Sequence, residues 1–180
     1  MLPPSVSMFP PNTYIRRYVP EDKYSILMLE AEAFDEHNPY EYLGFYEVFQ
    51  DGFFVCVQND DVVGFIVGYA LSDLEGHIFS LAVSKFHRNR GIAELLVNHI
   101  CTYFLFKGLK KASLEVRISN VPAISLYKKL GFAAAWIESK YYGDGEDGYM
   151  MTVNLNSYFF QKEQTRMSRE LNKKKEEGVN

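Results

Sequence analysis

From Ile92 the spacing of apolar residues changes, and that change constrains the fold more than any other feature. The run "HIFSLAVS" (77–84) reads as a strand. After it, Ile92, Leu95, Leu96, Ile100, Tyr103 and Phe104 recur at three- and four-residue steps, and Gly108 is placed to end a helix. "ASLEV" (112–116) is a strand again. Strand, long helix, strand is a crossover that makes two strands parallel, with a right-handed connection. The connections before it are too short for that. "FFVCVQ" and "VVGFIVGYAL" are separated only by Asn59, Asp60 and Asp61, and Asp73-Leu74-Glu75-Gly76 turns the chain into "HIFSLAVS". Both are hairpin connections. The expected fold is a mixed α/β domain whose central sheet is mostly antiparallel, with one parallel pair and flanking helices.

The remaining segments fit this plan. "YIRRYV" (14–19) reads as a short strand stopped by Pro20. "PEDKYSILMLEAEAF" follows, with Pro at the first helical position and acids in the first turn, a helix signature. A second helix is expected over about 40–50, after Asn38-Pro39, and "VPAISLYKKL" (121–130) is another, ended by Gly131. "FAAAWIESKYY" and "GYMMTVNL" finish the sheet around the turn "GDGED". The predicted order is β-α-α-β-β-β-α-β-α-β-β. Three regions result: a Pro-rich lead (1–13), one folded domain (14–155) and a charged tail (156–180) expected to be helical. Tyr158, Phe159 and Phe160 suggest that the tail's first turn docks on something.

Composition narrows the function classes. The net charge of −4 argues against a general nucleic-acid binder. The tail carries six Lys/Arg against four Asp/Glu, so the body is acidic and the end basic. Cys56 and Cys101 lie in apolar segments far from any C-x-x-C spacing and read as buried thiols of a reducing compartment. His37, His77, His87 and His99 form no H-x-x-x-H pair, so no metal site is expected. "MLPPSVSMFPPNT" has no basic n-region and is broken by four prolines, which fits neither a signal peptide nor a membrane span; Met1 and Met8 are alternative starts. A cytoplasmic protein is expected.

The chemistry starts at the turn Arg88-Asn89-Arg90-Gly91-Ile92-Ala93. A helix N-terminus offers unpaired backbone N–H groups and partial positive charge, so it attracts anions. Gly91 admits a ligand to the backbone, and Arg88 and Arg90 add charge. Alone, the hexapeptide is an ordinary basic strand-to-helix connection. Neither G-x-x-x-x-G-K-[ST] nor G-x-G-x-x-G occurs. Its neighbours change the reading. Arg88-x-x-Gly91-x-Ala93, followed by "LEVRISN" and Leu126-Tyr127-Lys128-Lys129-Leu130-Gly131-Phe132, resembles the Gcn5-related N-acetyltransferase (GNAT) superfamily. With "GHIFSLAV" and "KYYGDGEDGYMM" the resemblance narrows to the protein N-terminal acetyltransferases, both the ribosomal-protein (RimI) type and, more closely, the archaeal and NatA catalytic-subunit type. It spans about 14–155.

The resemblance implies a splayed parallel pair of strands with acetyl-coenzyme A in the gap. Leu81, Ala82 and Val83 would hold the pantetheine arm through their backbone. Arg88, Asn89, Arg90, Gly91, Ile92 and Ala93 would hold the pyrophosphate, with Asn120 and Lys129 further along. Glu115 would be the base, relayed with His77 through an ordered water. Tyr127 would protonate the thiolate, and backbone N–H groups near Leu81 and Ala82 would hold the oxyanion. A peptide α-amine, with its pKa of about 7.7–8.0, suits such a base better than a lysine at about 10.4. Tyr141 and Tyr142 would bind the peptide backbone. Glu36, Asn38 and Tyr40, in "DEHNPY", would form the other wall, although Asn38 replaces a tyrosine of the relatives and Asp35 a proline. Alternatives remain at several positions. Glu115 could pair with Arg117 on a half-exposed strand, His77 could be a hairpin-edge histidine and Tyr127 an amphipathic-helix aromatic. Glu30, Glu32, Asp35 and Glu36 favour a cationic substrate N-terminus or form a solvated helix face. The implied function is direct acetyl transfer to protein N-termini. Its rivals are a lysine or small-amine acetyltransferase, and a coenzyme A-binding module tethered by its tail to a ribosome or other partner. No nucleic acid or membrane is expected as a partner.

Overall fold

The computed structural model describes residues 12–34, 38–160 and 163. Glu36, and most of the basic tail, lie outside them. The elements are β1 (Thr13–Arg17), α1 (Lys23–Ala33), α2 (Pro39–Val48), β2 (Phe53–Gln58), β3 (Asp61–Ala70), β4 (Glu75–Val83), α3 (Ile92–Phe106), β5 (Lys111–Arg117), α4 (Val121–Lys129), β6 (Ala133–Glu138) and β7 (Gly148–Asn154). Single 3-10 turns precede α1, β2 and α3. The order is the one the apolar spacing predicts.

The strands form one seven-stranded sheet in the order β1-β2-β3-β4-β5-β7-β6. Only β4 and β5 run parallel; every other neighbouring pair is antiparallel. Helices cover both faces, which explains why β2 is buried at all six positions. On one face Ile92, Leu96, Ile100 and Phe104 of α3 and Ile124 of α4 pack on Ile66, Ile78, Leu114 and Met151. On the other, Ile26 and Leu29 of α1 and Leu43 and Tyr46 of α2 pack on Val55, Phe65 and Val67. Each fully buried aliphatic or aromatic side chain contributes about 1.5–3 kcal/mol. Close approach of α3 requires Gly76: a Cβ there would lie 2.5 Å from the Phe104 ring.

Two irregularities in β4 shape the site. Its register against β3 slips between Val67 and Gly68, which face Ser80 and Ile78, so Phe79 is an inserted bulge residue. On its other side, β4 pairs with β5 only from Glu75↔Lys111 to Ile78↔Leu114. Beyond Ile78 the strands part, and the β5-facing backbone groups of residues 79–83 have no strand partner there.

Two expectations are corrected. The strand predicted through 142 stops at Glu138. Lys140 takes a left-handed φ of +53°, and its N–H donates to Asp147 Oδ1 at 2.8 Å, so Tyr141 and Tyr142 sit in a loop. Glu30 is not on a solvated helix face: it is fully buried. Its Oε2 accepts a 2.9 Å hydrogen bond from Tyr46 Oη. After β7, residues 155–160 are helical. Tyr158 is buried and its hydroxyl donates to Asn98 Oδ1, so the tail's first turn docks on α3.

Candidate active site

Alternation along β5 sends Ala112, Leu114 and Val116 into the α3 face and Ser113, Glu115 and Arg117 to the opposite one. Glu115 meets His77, with His77 Nε2 3.1 Å from Glu115 Oε2. Both side chains are largely buried, His77 among the inner strands of the sheet and not at an edge. The other imidazole nitrogen, Nδ1, lies 3.3 Å from Ser113 Oγ. Tyr69, opposite His77 in the β3–β4 register, leans on the imidazole at 5.3 Å and stacks on Phe49 at 4.3 Å. Burial, and then the Glu115 charge, hold the Tyr69 hydroxyl above its usual range. Tyr141 closes the group from the β6–β7 loop. Burial comes first and the charge of Glu115 next in pushing its hydroxyl up to about 12, so it is a neutral donor at physiological pH.

The loop carrying Tyr141 and Tyr142 is tied down by a residue outside the expected site set. Arg117 Nη1 contacts Asp144 Oδ2 and Glu146 Oε2, each at 2.8 Å, and the guanidinium stacks over Tyr142, 4.0 Å from its ring centroid. Glu146 Oε1 also accepts the Ser119 N–H at 2.9 Å, and Ser119 bonds come first in holding its carboxyl below the usual range. The pairing of "LEVRISN" with "DGED" is therefore physical: one segment supplies the cation and N–H, the other the acids.

The opposite wall is α2. Asn38 caps it, accepting the Tyr40 N–H at 3.1 Å and donating to Glu41 at the same distance. Tyr40 is exposed. Beneath α2 the bulge residue Phe79 contacts Tyr42, Phe45, Tyr46 and Tyr69, an aromatic floor that sequence reasoning missed. Only the neighbouring "FFVC" and "GFYEVF" richness in rings hinted at it.

At the parted end of β4, Leu81, Ala82 and Val83 border the gap. Arg88, Asn89 and Arg90 form an exposed turn, with Asn89 and Gly91 left-handed at φ +59° and +80°. Gly91 is the N-cap of α3, so the first N–H groups of that helix, among them those of Ile92 and Ala93, have no partner within the helix. Arg88 Nε donates to the Val83 carbonyl at 3.1 Å, which ties the turn to β4. Asn120 caps α4 through the Ala123 N–H. Lys129 Nζ pairs with Glu94 Oε2 at 2.6 Å, linking α4 to the first turn of α3. Tyr127 is buried, and burial above all, then Tyr142, raises its hydroxyl well above the usual range, so it stays protonated. The chain thus offers a parted strand edge, a helix N-terminus and a protonated phenol, a set that suits an elongated phosphate-bearing thioester. Among the described residues no His, Cys, Asp and Glu cluster suits a metal ion, and no helix is long and apolar enough to cross a membrane.

A mixed sheet that parts at its single parallel pair is the fold of a family of acyl-group transferases. The chain belongs to the Acetyltransferase (GNAT) family, which it matches over residues 21–132. It is 36% identical over 152 residues to an N-alpha-acetyltransferase of Sulfurisphaera tokodaii, covering 74% of this chain and 88% of that one. It is 41% identical over 105 residues to the N-terminal acetyltransferase A complex catalytic subunit of Arabidopsis thaliana, covering 53% and 55%. Among solved structures it resembles Ard1 from Thermoplasma volcanium, with a TM-score of 0.75, 29% identity, and coverage of 79% and 97%.

Proposed function

We propose that the protein transfers an acetyl group from acetyl-coenzyme A to the α-amine of protein N-termini, directly and within a ternary complex. The observation that carries this is the His77–Glu115 contact at 3.1 Å beside the parting of β4 and β5. The archaeal and plant relatives named for N-terminal acetylation support the choice of amine. In this reading the thioester lies along residues 81–83, with its pyrophosphate at the turn from Arg88 to Ala93 and the peptide between α2 and the Tyr141–Tyr142 loop. The amine loses its proton, through a water, to the Glu115–His77 pair. Its nitrogen then bonds to the carbonyl carbon, and the oxyanion is held by gap-facing backbone N–H groups near Leu81 and Ala82. The C–S bond breaks and Tyr127 gives its proton to the departing sulfur. No cysteine carries the acetyl group: Cys56 and Cys101 are both fully buried, and burial pushes the Cys56 thiol up to about 11. The basic tail is proposed to aid docking on a ribosome, and the site of action to be the cytoplasm.

Intact-mass analysis after incubation with acetyl-coenzyme A and peptides beginning Ser, Ala, Met-Leu and Met-Glu tests the reaction. A gain of one acetyl group at the α-amine is expected, lost in Glu115→Gln combined with His77→Ala. Acetylation confined to lysine side chains, or turnover indifferent to that double change, defeats the reading.

A further inference from the structure

The polar face of β4 and β5 does not end at the His77–Glu115 pair. Within the short parallel ladder Glu75 stands opposite Lys111 and His77 opposite Ser113. Lys111 Nζ is 2.8 Å from Glu75 Oε2, His77 Nδ1 is 3.3 Å from Ser113 Oγ, and His77 Nε2 is 3.1 Å from Glu115 Oε2. The order Lys111, Glu75, Ser113, His77, Glu115 leads from an exposed ammonium to the buried carboxylate, with alternating charge on either side of one hydroxyl. We propose that Ser113 and Glu75 are positioning residues that set how firmly the His77–Glu115 pair holds the proton taken from the substrate amine. This rests on the reading above that the pair accepts that proton.

The hydroxyl has one proton to direct. With the pair unloaded, His77 Nε2–H points to Glu115 and Ser113 donates to Nδ1. With one further proton on the imidazole, Nδ1–H donates to Ser113 Oγ, and Ser113 turns its own proton to Glu75. His77 gains one proton, Ser113 keeps its own, and no other bond changes. Glu75 is placed to receive it, two residues before His77 and therefore on the same face of β4: burial pushes its carboxyl up, but Lys111, 2.8 Å away, and the neighbouring charges outweigh burial and hold it below the usual range. It therefore stays ionised across the working pH. The other groups bearing on the imidazole are the neutral phenols Tyr69 and Tyr141 and, two residues beyond Glu115, Arg117, which is engaged by Asp144 and Glu146.

The test is the pH profile of peptide acetylation in the full chain, beside ring 15N NMR titration of His77 assigned with His77→Gln. A negative charge nearby favours the protonated imidazole, so Glu75→Gln should move the ascending limb of kcat/KM and the NMR midpoint to lower pH, by about one unit. Lys111→Met removes a cation and should move both upward by a smaller amount. Ser113→Ala should uncouple the ring, shrinking both shifts in the double variants, while KM for acetyl-coenzyme A changes by less than about twofold. Midpoints that stay put in Glu75→Gln and Lys111→Met, or shifts of the same sign in both, overturn the proposal. Failure of the wild-type chain to acetylate α-amines overturns the proposed function instead, and the NMR titration still decides the coupling.

Discussion

Replacing Tyr46 by Phe removes one oxygen and nothing else, yet it should be among the costliest single-atom changes in the protein. The hydroxyl links α1, α2 and β4: it donates to Glu30 Oε2 at 2.9 Å and contacts Ser80 Oγ at 3.0 Å. Tyr46 and Glu30 have no exposed surface and Ser80 only 8%, so water cannot replace the lost partner. A hydrogen bond to a charged group contributes about 1.5–3 kcal/mol and a neutral one about 0.5–1.5, so the loss should be about 2–4.5 kcal/mol. In a chain of this size that lowers Tm by roughly 5–15 °C. Urea unfolding followed by fluorescence of the single Trp, Trp136, reads the difference. Ser80→Ala removes only the neutral contact and should cost about 1 kcal/mol, and because the two share the hydroxyl their effects should not add. A Tyr46→Phe protein within about 0.5 kcal/mol of wild type would show that this buried network is not holding the helices to the strand.

Arg117→Gln releases Asp144, Glu146 and the Tyr142 ring together, and should lower kcat/KM for peptide about tenfold while leaving KM for acetyl-coenzyme A unchanged; equal losses for both substrates would refute a loop-specific role. Gly76→Ala forces a Cβ to 2.5 Å from Phe104 and should destabilise by about 1–3 kcal/mol, whereas Gly44→Ala, with open space around it, should be neutral or better in the same unfolding assay. Burial, first among the causes, raises the hydroxyls of Tyr46 and Tyr158 above their ordinary value of 10, so their neutral forms are favoured by folding. The stability they contribute is complete below pH 10 and is lost as pH climbs above it. The urea midpoint should be flat from pH 8 to about 9.5 and then fall, less steeply in Tyr46→Phe; a flat profile to pH 11 would contradict the burial argument.

What was legible in the sequence was whatever repeats locally. The period change at Ile92, the Pro and Gly punctuation and the short hairpin loops predict every strand and α-helix from β1 to β7 and the single parallel pair, because each depends on residues a few positions apart. Glu30 was misread for the opposite reason. Its partner is sixteen residues away on another helix, and a Glu in "LEAEAF" looks like any solvated acid until Tyr46 is folded over it. Strand β6 overran because "SKYY" has the composition of a strand; Asp147, seven residues downstream, captures the Lys140 N–H and turns the chain. Arg117 was visible as part of a pattern, but its work is done across 27 and 29 residues, on Asp144 and Glu146.

The bulge at Phe79 lies deeper still, because alternation cannot register one inserted residue until the partner strand is known. Its effect is that adjacent residues face the same side: Phe79 meets the Tyr46 ring while Ser80 meets the Tyr46 hydroxyl. The bulge also follows directly on Ile78, the last residue of β4 paired with β5. An inserted residue bends its strand and increases the local twist, which turns the rest of β4 away from a parallel neighbour that does not share the insertion. The gap proposed to take the thioester and the aromatic floor proposed to lie beneath the peptide then have one local cause. His77 stands two residues before the insertion, in the part of the ladder that is still paired, where Ser113 and Glu115 can hold both of its nitrogens. The His77–Glu115 pair can therefore be rigid while the strand that carries His77 opens immediately beyond it.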